Sequence, residues 1–177
     1  MTAFFGVLRD SPRFPAGNGF TLVELLCVIV ILGSLAASAL PRYVTLTDEA
    51  HHSVVGMTAS SFQGAVFLAN AACIVRDFDG LDNLPNFGSG NVDFNANCLP
   101  ASTNGINNLN VNANRCLQIW NGVLSPAPSI STPASDSTDY RAQGGGTNCT
   151  FTYREDADTT RGFTYNAATG TISVINP

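Results

Sequence analysis

With 177 residues the chain has room for one domain of ordinary size and little more. Its net charge is −5 and all eight basic residues are Arg, so it offers no electrostatic footprint for nucleic acid. Cys27, Cys73, Cys98, Cys116 and Cys149 include no C-x-x-C pair, which argues against a zinc ribbon or a thioredoxin-type motif.

The apolar residues are concentrated near the start. From Phe20 to Leu40 the chain reads FTLVELLCVIVILGSLAASAL, 21 residues with Glu24 as the single charge. As a helix this block spans about 31 Å, close to a hydrocarbon core of about 30 Å. Arg9 and Arg13 precede it and nothing strongly basic follows. The positive-inside tendency thus keeps the first 19 residues cytoplasmic and sends the rest outward. Cys27 lies inside the block, which leaves four spaced cysteines beyond it. That pattern suggests two disulfides and an oxidising compartment.

An ordinary signal peptide is one reading, since Ala37-Ser38-Ala39 satisfies the small-residue cleavage pattern. An uncut signal anchor is another. Neither has a use for Glu24, because a carboxylate in a spanning helix costs about 2.5–3.5 kcal/mol on insertion scales. It belongs there only if a partner satisfies it.

Gly19-Phe20-Thr21-Leu22-Val23-Glu24, followed by the apolar helix and Pro41, resembles the N-terminal signature of type IV pilins and pseudopilins. The resemblance implies that prepilin peptidase cuts after Gly19 and methylates the new amine of Phe20. It also implies that Glu24 pairs with the N-terminus of a neighbouring subunit during assembly. Such a pair would set subunit register, since any other register leaves a buried anion unpaired. The implied organisation is a leader at 1–19, a transmembrane and assembly helix at 20–41, and a head at 42–177.

Pro41 lacks an amide hydrogen and is expected to kink or locally open the helix. The helical pattern resumes, with Leu46, Ala50, Val54, Met57, Ser61, Ala65, Leu68 and Ala72 marking one apolar stripe. It should run to about Arg76, where Asp77, Asp79 and Gly80 end it. A helix of about 55 residues measures roughly 80 Å.

From Gly80 to Asn114 the chain is rich in turn residues, including Asn104-Gly105. Cys116, Ile119, Trp120, Val123 and Leu124 share one side of a short helix. Ser125 to Ser137 reads as a surface loop, and Gly144-Gly145-Gly146 as a flexible one. Three alternating runs then read as strands: Thr150–Tyr153, Gly162–Tyr165 and Thr171–Val174, the last two joined by a turn over Asn166–Gly170. The expected class is α+β: a long N-terminal helix packed on a small antiparallel sheet, as in pilins. Within that family the run from Val92 to Asn97, the Cys–Trp segment and the Cys149–Tyr153 strand look most like mannose-sensitive haemagglutinin pilins. Leu46–Ala50 is similar to that group as well.

Four head cysteines permit three pairings. Cys73–Cys98 would tie the long helix to the following loop, and Cys116–Cys149 the Trp helix to the sheet; these two are preferred. No catalytic set is legible and no cofactor is expected. His51 and His52 are adjacent, so on a helix they point about 100° apart and read as exposed residues, not a metal pair. Asp77, Asp79 and Asp82 lack the calcium loop's later Glu and read as a solvated cluster. Asn148-Cys149-Thr150 matches a glycosylation sequon, a pattern that also arises by chance. Trp120 reads as a core residue and not as a sugar platform, and Cys27 as a small apolar residue.

The expectation is therefore a pilus subunit without enzyme activity. It would cross the inner membrane once, with its C-terminus in the periplasm, before joining an extracellular filament. Its partners would be further pilins, prepilin peptidase and the inner-membrane assembly platform. The alternatives are a pseudopilin of a type II secretion system and a secreted binding module with an ordinary signal peptide.

Overall fold

The computed structural model describes residues 19–156 and 160–176, with the side chains at positions 44 and 45 outside that description. The expected leader, apart from Gly19, lies outside the described residues. The chain divides into two compact units, Met1–Tyr43 and Val44–Pro177.

Helix α1, Leu22–Val75, has residues in both and includes Pro41. The ring leaves the carbonyl of Ala37 without its usual helical donor. The helix nevertheless continues on either side of it.

The C-terminal end of α1 is closed by a Schellman motif. Asp77 adopts a left-handed φ of 54°, while Phe78 N–H donates to the Cys73 carbonyl at 3.0 Å and Asp77 N–H to that of Ile74 at 3.3 Å. These bonds satisfy carbonyls that the helix end would otherwise orphan. Asp77 thus terminates the helix.

In the second unit, α1 buries Val55, Ala59, Phe62, Val66, Ala69 and Cys73, which recur in steps of four and three. The stripe expected from sequence is displaced from this set by about one residue. Leu46, Val54, Met57 and Leu68 are exposed, as are Ala50 and Ser61, whereas Ala65 and Ala72 are half-buried. The helix carries two neighbouring apolar stripes with the same period, and periodicity cannot choose between them. The choice falls on the stripe with Phe62, because an aromatic cluster stands ready to receive it.

That cluster comes from α2, Ala113–Val123, and from a five-stranded sheet. The strands are β3 (Ile130–Ser131), β4 (Tyr140–Gly145), β5 (Asn148–Tyr153), β6 (Gly162–Asn166) and β7 (Ile172–Ile175). They lie in chain order, with β3 and β4 parallel and the other pairs antiparallel. Two-residue alternation sends Tyr140, Ala142, Cys149, Phe151, Tyr153, Phe163 and Tyr165 inward. Phe62 lies 5.2 Å from Phe151, 5.6 Å from Phe163 and 5.8 Å from Trp120 between ring centres. Trp120 is fully buried and donates its indole N–H to the Pro128 carbonyl at 3.0 Å. It is a core residue.

Burial pushes the Tyr140 hydroxyl up to about 12, with the Thr58 hydroxyl pulling the other way. It pushes Tyr165 up as well. The unfolded chain ionises its tyrosines near pH ~10. These rings therefore add stability that is complete below about pH 10 and is lost as pH rises towards the folded values. The urea midpoint should fall steadily above about pH 10, and a flat midpoint from about pH 9 to about pH 11.5 would contradict this account.

Two expected loops are partly strand. Residues of the Pro/Ser-rich segment form β3, since Ile130 and Ser131 pair with Tyr140 and Arg141. Gly144 and Gly145 belong to β4 and pair with Cys149 and Asn148. A Cβ at Gly144 would stand 2.5 Å from the Asn112 backbone and 2.8 Å from Cys116 Sγ. This glycine is a site of close helix–strand approach, not a flexible point. A further ladder, β1 (Asp93–Phe94) with β2 (Pro100–Ser102), lies within the turn-rich segment.

The structure joins Cys73 to Cys98 and Cys116 to Cys149, 25 and 33 residues apart in sequence. Loop closure of this size contributes about 3–4 kcal/mol each in the chain-entropy account.

Candidate functional site

In the first unit every described residue from Gly19 to Tyr43 is exposed. Phe20, Leu22, Val23, Leu25, Val30, Leu35 and Leu40 are each at least 60% exposed. An apolar surface this continuous is untenable in water and marks a segment that meets lipid or other chains. The helix is long and apolar enough to cross a membrane, and the most apolar stretch has no buried residue.

Its polar groups are dealt with locally. Ser34 and Ser38 donate their hydroxyls to the carbonyls of Ile31 and Leu35, both at 2.9 Å. Hydroxyls returned to the helix in this way leave no donor in need of water. Cys27 is a free, exposed thiol among apolar neighbours.

Thr21 and Glu24 form a reciprocal cap at the start of α1. The Thr21 amide donates to Glu24 Oε2 at 3.1 Å and the Thr21 hydroxyl to the same oxygen at 3.0 Å. The Glu24 amide donates back to Thr21 Oγ1 at 3.2 Å. This is the capping box, which satisfies two of the amides orphaned at a helix start. A carboxylate there also complements the positive end of the helix dipole. Sequence alone asks for a partner to satisfy Glu24, and Thr21 supplies one within the chain. The T-x-x-E spacing was the signal available for this. Among the described residues Glu24 Oε1 accepts no bond, so the carboxylate keeps capacity for a second partner.

In the second unit, the structure assigns roles to residues that sequence reasoning passed over. Arg115 is 3% exposed and donates to the carbonyls of Ala101, Ile106, Asn108 and Asn110. Burial lowers its pKa, and the nearby Asp93 charge works in the opposite sense. Buried Asp93 accepts from Asn83 N–H, Ser102 Oγ and Gly105 N–H at 3.0, 2.6 and 2.7 Å. These two side chains hold the turn-rich segment in shape. His51, expected to be exposed, is half-buried with Nδ1 3.3 Å from the Tyr153 hydroxyl. Arg161 bridges Asp48 of α1 and Asp156 at 2.6 and 2.7 Å. Among the described residues no group of three His, Cys, Asp or Glu side chains is placed to hold a metal ion.

The fold and the N-terminal segment together define an α+β protein carrying one apolar, capped membrane-type helix at its start. Residues 17–40 match the prokaryotic N-terminal methylation motif, the type IV pilin signal. The chain is also homologous to a type IV pilin, the narrow pilus major component PilA5 of Thermus thermophilus, at 51% identity over 52 residues. That match covers 29% of this chain and 45% of the relative's length, so the chain spans less than half of the curated protein it matches. No solved structure matches the chain significantly.

Proposed function

We propose that this protein is a structural subunit of a type IV pilus. Prepilin peptidase cuts it between Gly19 and Phe20 and methylates the Phe20 amine. Residues 20–41 hold it in the inner membrane, with the head on the periplasmic side, until the assembly platform feeds it into a filament with other pilins. Leader at 1–19, helix at 20–41 and head at 42–177 are the parts of that cycle. The likeness of the head to mannose-sensitive haemagglutinin pilins belongs to the same proposal.

One observation carries the reading: an exposed apolar stretch of helix that opens on a capped Thr21–Glu24 pair inside a methylation motif. A plain anchor needs the apolar stretch but neither the motif nor an acid at that position. In a filament the helix would exchange lipid for the helices of other copies, and no polar group would need water on the way. The ordered head, closed by two disulfides, gives the filament a surface suited to the oxidising outside.

Intact mass and N-terminal sequencing of the mature protein test the proposal. The expected chain begins at Phe20 and carries one additional methyl group. A chain that begins near Leu40 would instead be a secreted domain released from an ordinary signal peptide.

A further inference from the structure

The outer face of the sheet is of different composition from the inner one. No strand from β3 to β7 contains an Asp or Glu. The outward positions of β4 and β5 are Arg141, Gln143, Thr150 and Thr152, with Arg141 directly opposite Thr152 in register. Arg154 follows at the end of β5.

Together with Ala134 and Tyr153, the side chains of Arg141, Gln143, Thr152 and Arg154 line an open groove of about 340 Å³. Two guanidinium groups share one groove with no carboxylate among its described lining residues, although the charges of Glu155, Asp139 and Asp156 are felt at Tyr153. Neither arginine forms an ion pair among the described residues.

The two arginines are differently employed. Arg154 is spread over the neighbouring loop, donating to Ser131 Oγ, Thr138 Oγ1 and the carbonyls of Pro133 and Ala134. It holds that wall of the groove and adds its charge. Arg141 is held at one point, Nε to the Thr132 carbonyl at 3.3 Å. Both of its terminal nitrogens are left without a partner among the described residues. A guanidinium anchored at Nε with its terminal edge open is set to grip a planar anion with two oxygens.

We propose that this groove binds a carboxylated sugar. The open fork of Arg141 takes the carboxylate in a charge-assisted contact, and the Gln143 amide and Thr152 hydroxyl take ring hydroxyls beside it. The volume lies at the lower end of the range for small-molecule sites, the size of one or two sugar rings. A hydroxyl- and amide-lined wall suits a polyhydroxylated ligand better than an apolar one. A chain of uronic acids, as found in acidic polysaccharides, is the ligand class. Such a site would give the head something to hold, whether or not the protein polymerises.

The test is isothermal titration of the full-length protein, dispersed in detergent, with trigalacturonate, with neutral maltotriose and with sodium sulfate. Trigalacturonate should bind at least about tenfold tighter than either of the others, since a bond to a charged group outweighs a neutral one by that order. Its binding should weaken with added salt, because the groove is open to solvent. Arg141→Gln should reduce affinity about tenfold or more. Arg141→Lys keeps the charge and loses the fork, so it should lose most of the same affinity while preserving the fold.

Equal binding of maltotriose or sulfate would overturn the proposal, and so would unchanged affinity in Arg141→Lys. Loss of self-association in Arg141→Gln, with no binding of trigalacturonate by the parent, would make the groove a contact between copies and overturn it too. Every arm is read on dispersed protein, so failure here is distinct from failure of leader processing or filament assembly.

Discussion

Replacing Glu24 with Val should leave the protein in the membrane and cut filament yield at least about tenfold, the effect of some 1.4 kcal/mol per subunit contact. The comparison that gives this result meaning is with Thr21 and with Gln at position 24. Thr21 and Glu24 cap α1 reciprocally, so losing Glu24 removes a cap as well as a charge. Glutamine serves at the same position of a capping box, and Glu24→Gln therefore keeps the cap while discarding the charge. Thr21→Val does the reverse, at a cost of about 0.5–2 kcal/mol in helix-end stability.

If Glu24 pairs with the Phe20 amine of the next subunit, Glu24→Gln should fail almost as completely as Glu24→Val, and Thr21→Val should assemble within about threefold of normal. Shed and cell-bound filaments, quantified by shearing and electron microscopy, provide the readout. Normal assembly of Glu24→Gln would reduce Glu24 to a capping residue and remove the charge pair from the mechanism.

The second large effect concerns the register of the long helix. Phe62→Ala should destabilise the head by about 3–5 kcal/mol, the range for removing a buried aromatic. The ring is fully buried and within 6 Å of Trp120, Phe151, Phe163 and Tyr165. Phe67→Ala, five residues on, should cost within about 0.5 kcal/mol, because Phe67 is 70% exposed. Urea unfolding followed by Trp120 fluorescence measures both. Equal losses at the two positions would mean that α1 presents a different face to the sheet.

That pair of phenylalanines also shows where sequence reading reached its limit. From Leu46 to Ala72 the helix offers two apolar stripes side by side, and the expected core stripe was the one that the structure leaves mostly exposed. Periodicity reports that a face is apolar but not what covers it. Phe62 in the buried stripe is held by rings more than fifty residues away in sequence, Trp120 on α2, Phe151 on β5, and Phe163 and Tyr165 on β6.

Strands were legible in proportion to their alternation. Phe151–Tyr153, Phe163–Tyr165 and Ile172–Val174 carry a two-residue pattern, and they are β5, β6 and β7. Strand β4 carries it only in Tyr140 and Ala142, then runs into glycines that read as a loop. The glycine at 144 is there because Asn112 and Cys116 press against it, and that pressure has no local signature. Strand β3 has two residues and pairs in parallel, too short for any pattern. Arg115 and Asp93 were passed over because isolated charges in an Asn-rich segment look solvated, yet both are buried.

What the sequence by itself determined is the N-terminal segment. A 21-residue apolar run, its single acid at a fixed distance from Gly19, and the Thr21–Glu24 spacing are local facts, and a helix with a capping box follows from them through bonds no longer than one turn. The end of α1 at Asp77 is local for the same reason. Which face of α1 is core, why Gly144 must lack a side chain, and the gathering of Arg141 and Arg154 in one groove were decided by tertiary structure alone. Each depends on groups brought together by the sheet across long stretches of chain, and burial, steric room and shared charge are properties of that assembly and not of any window of sequence.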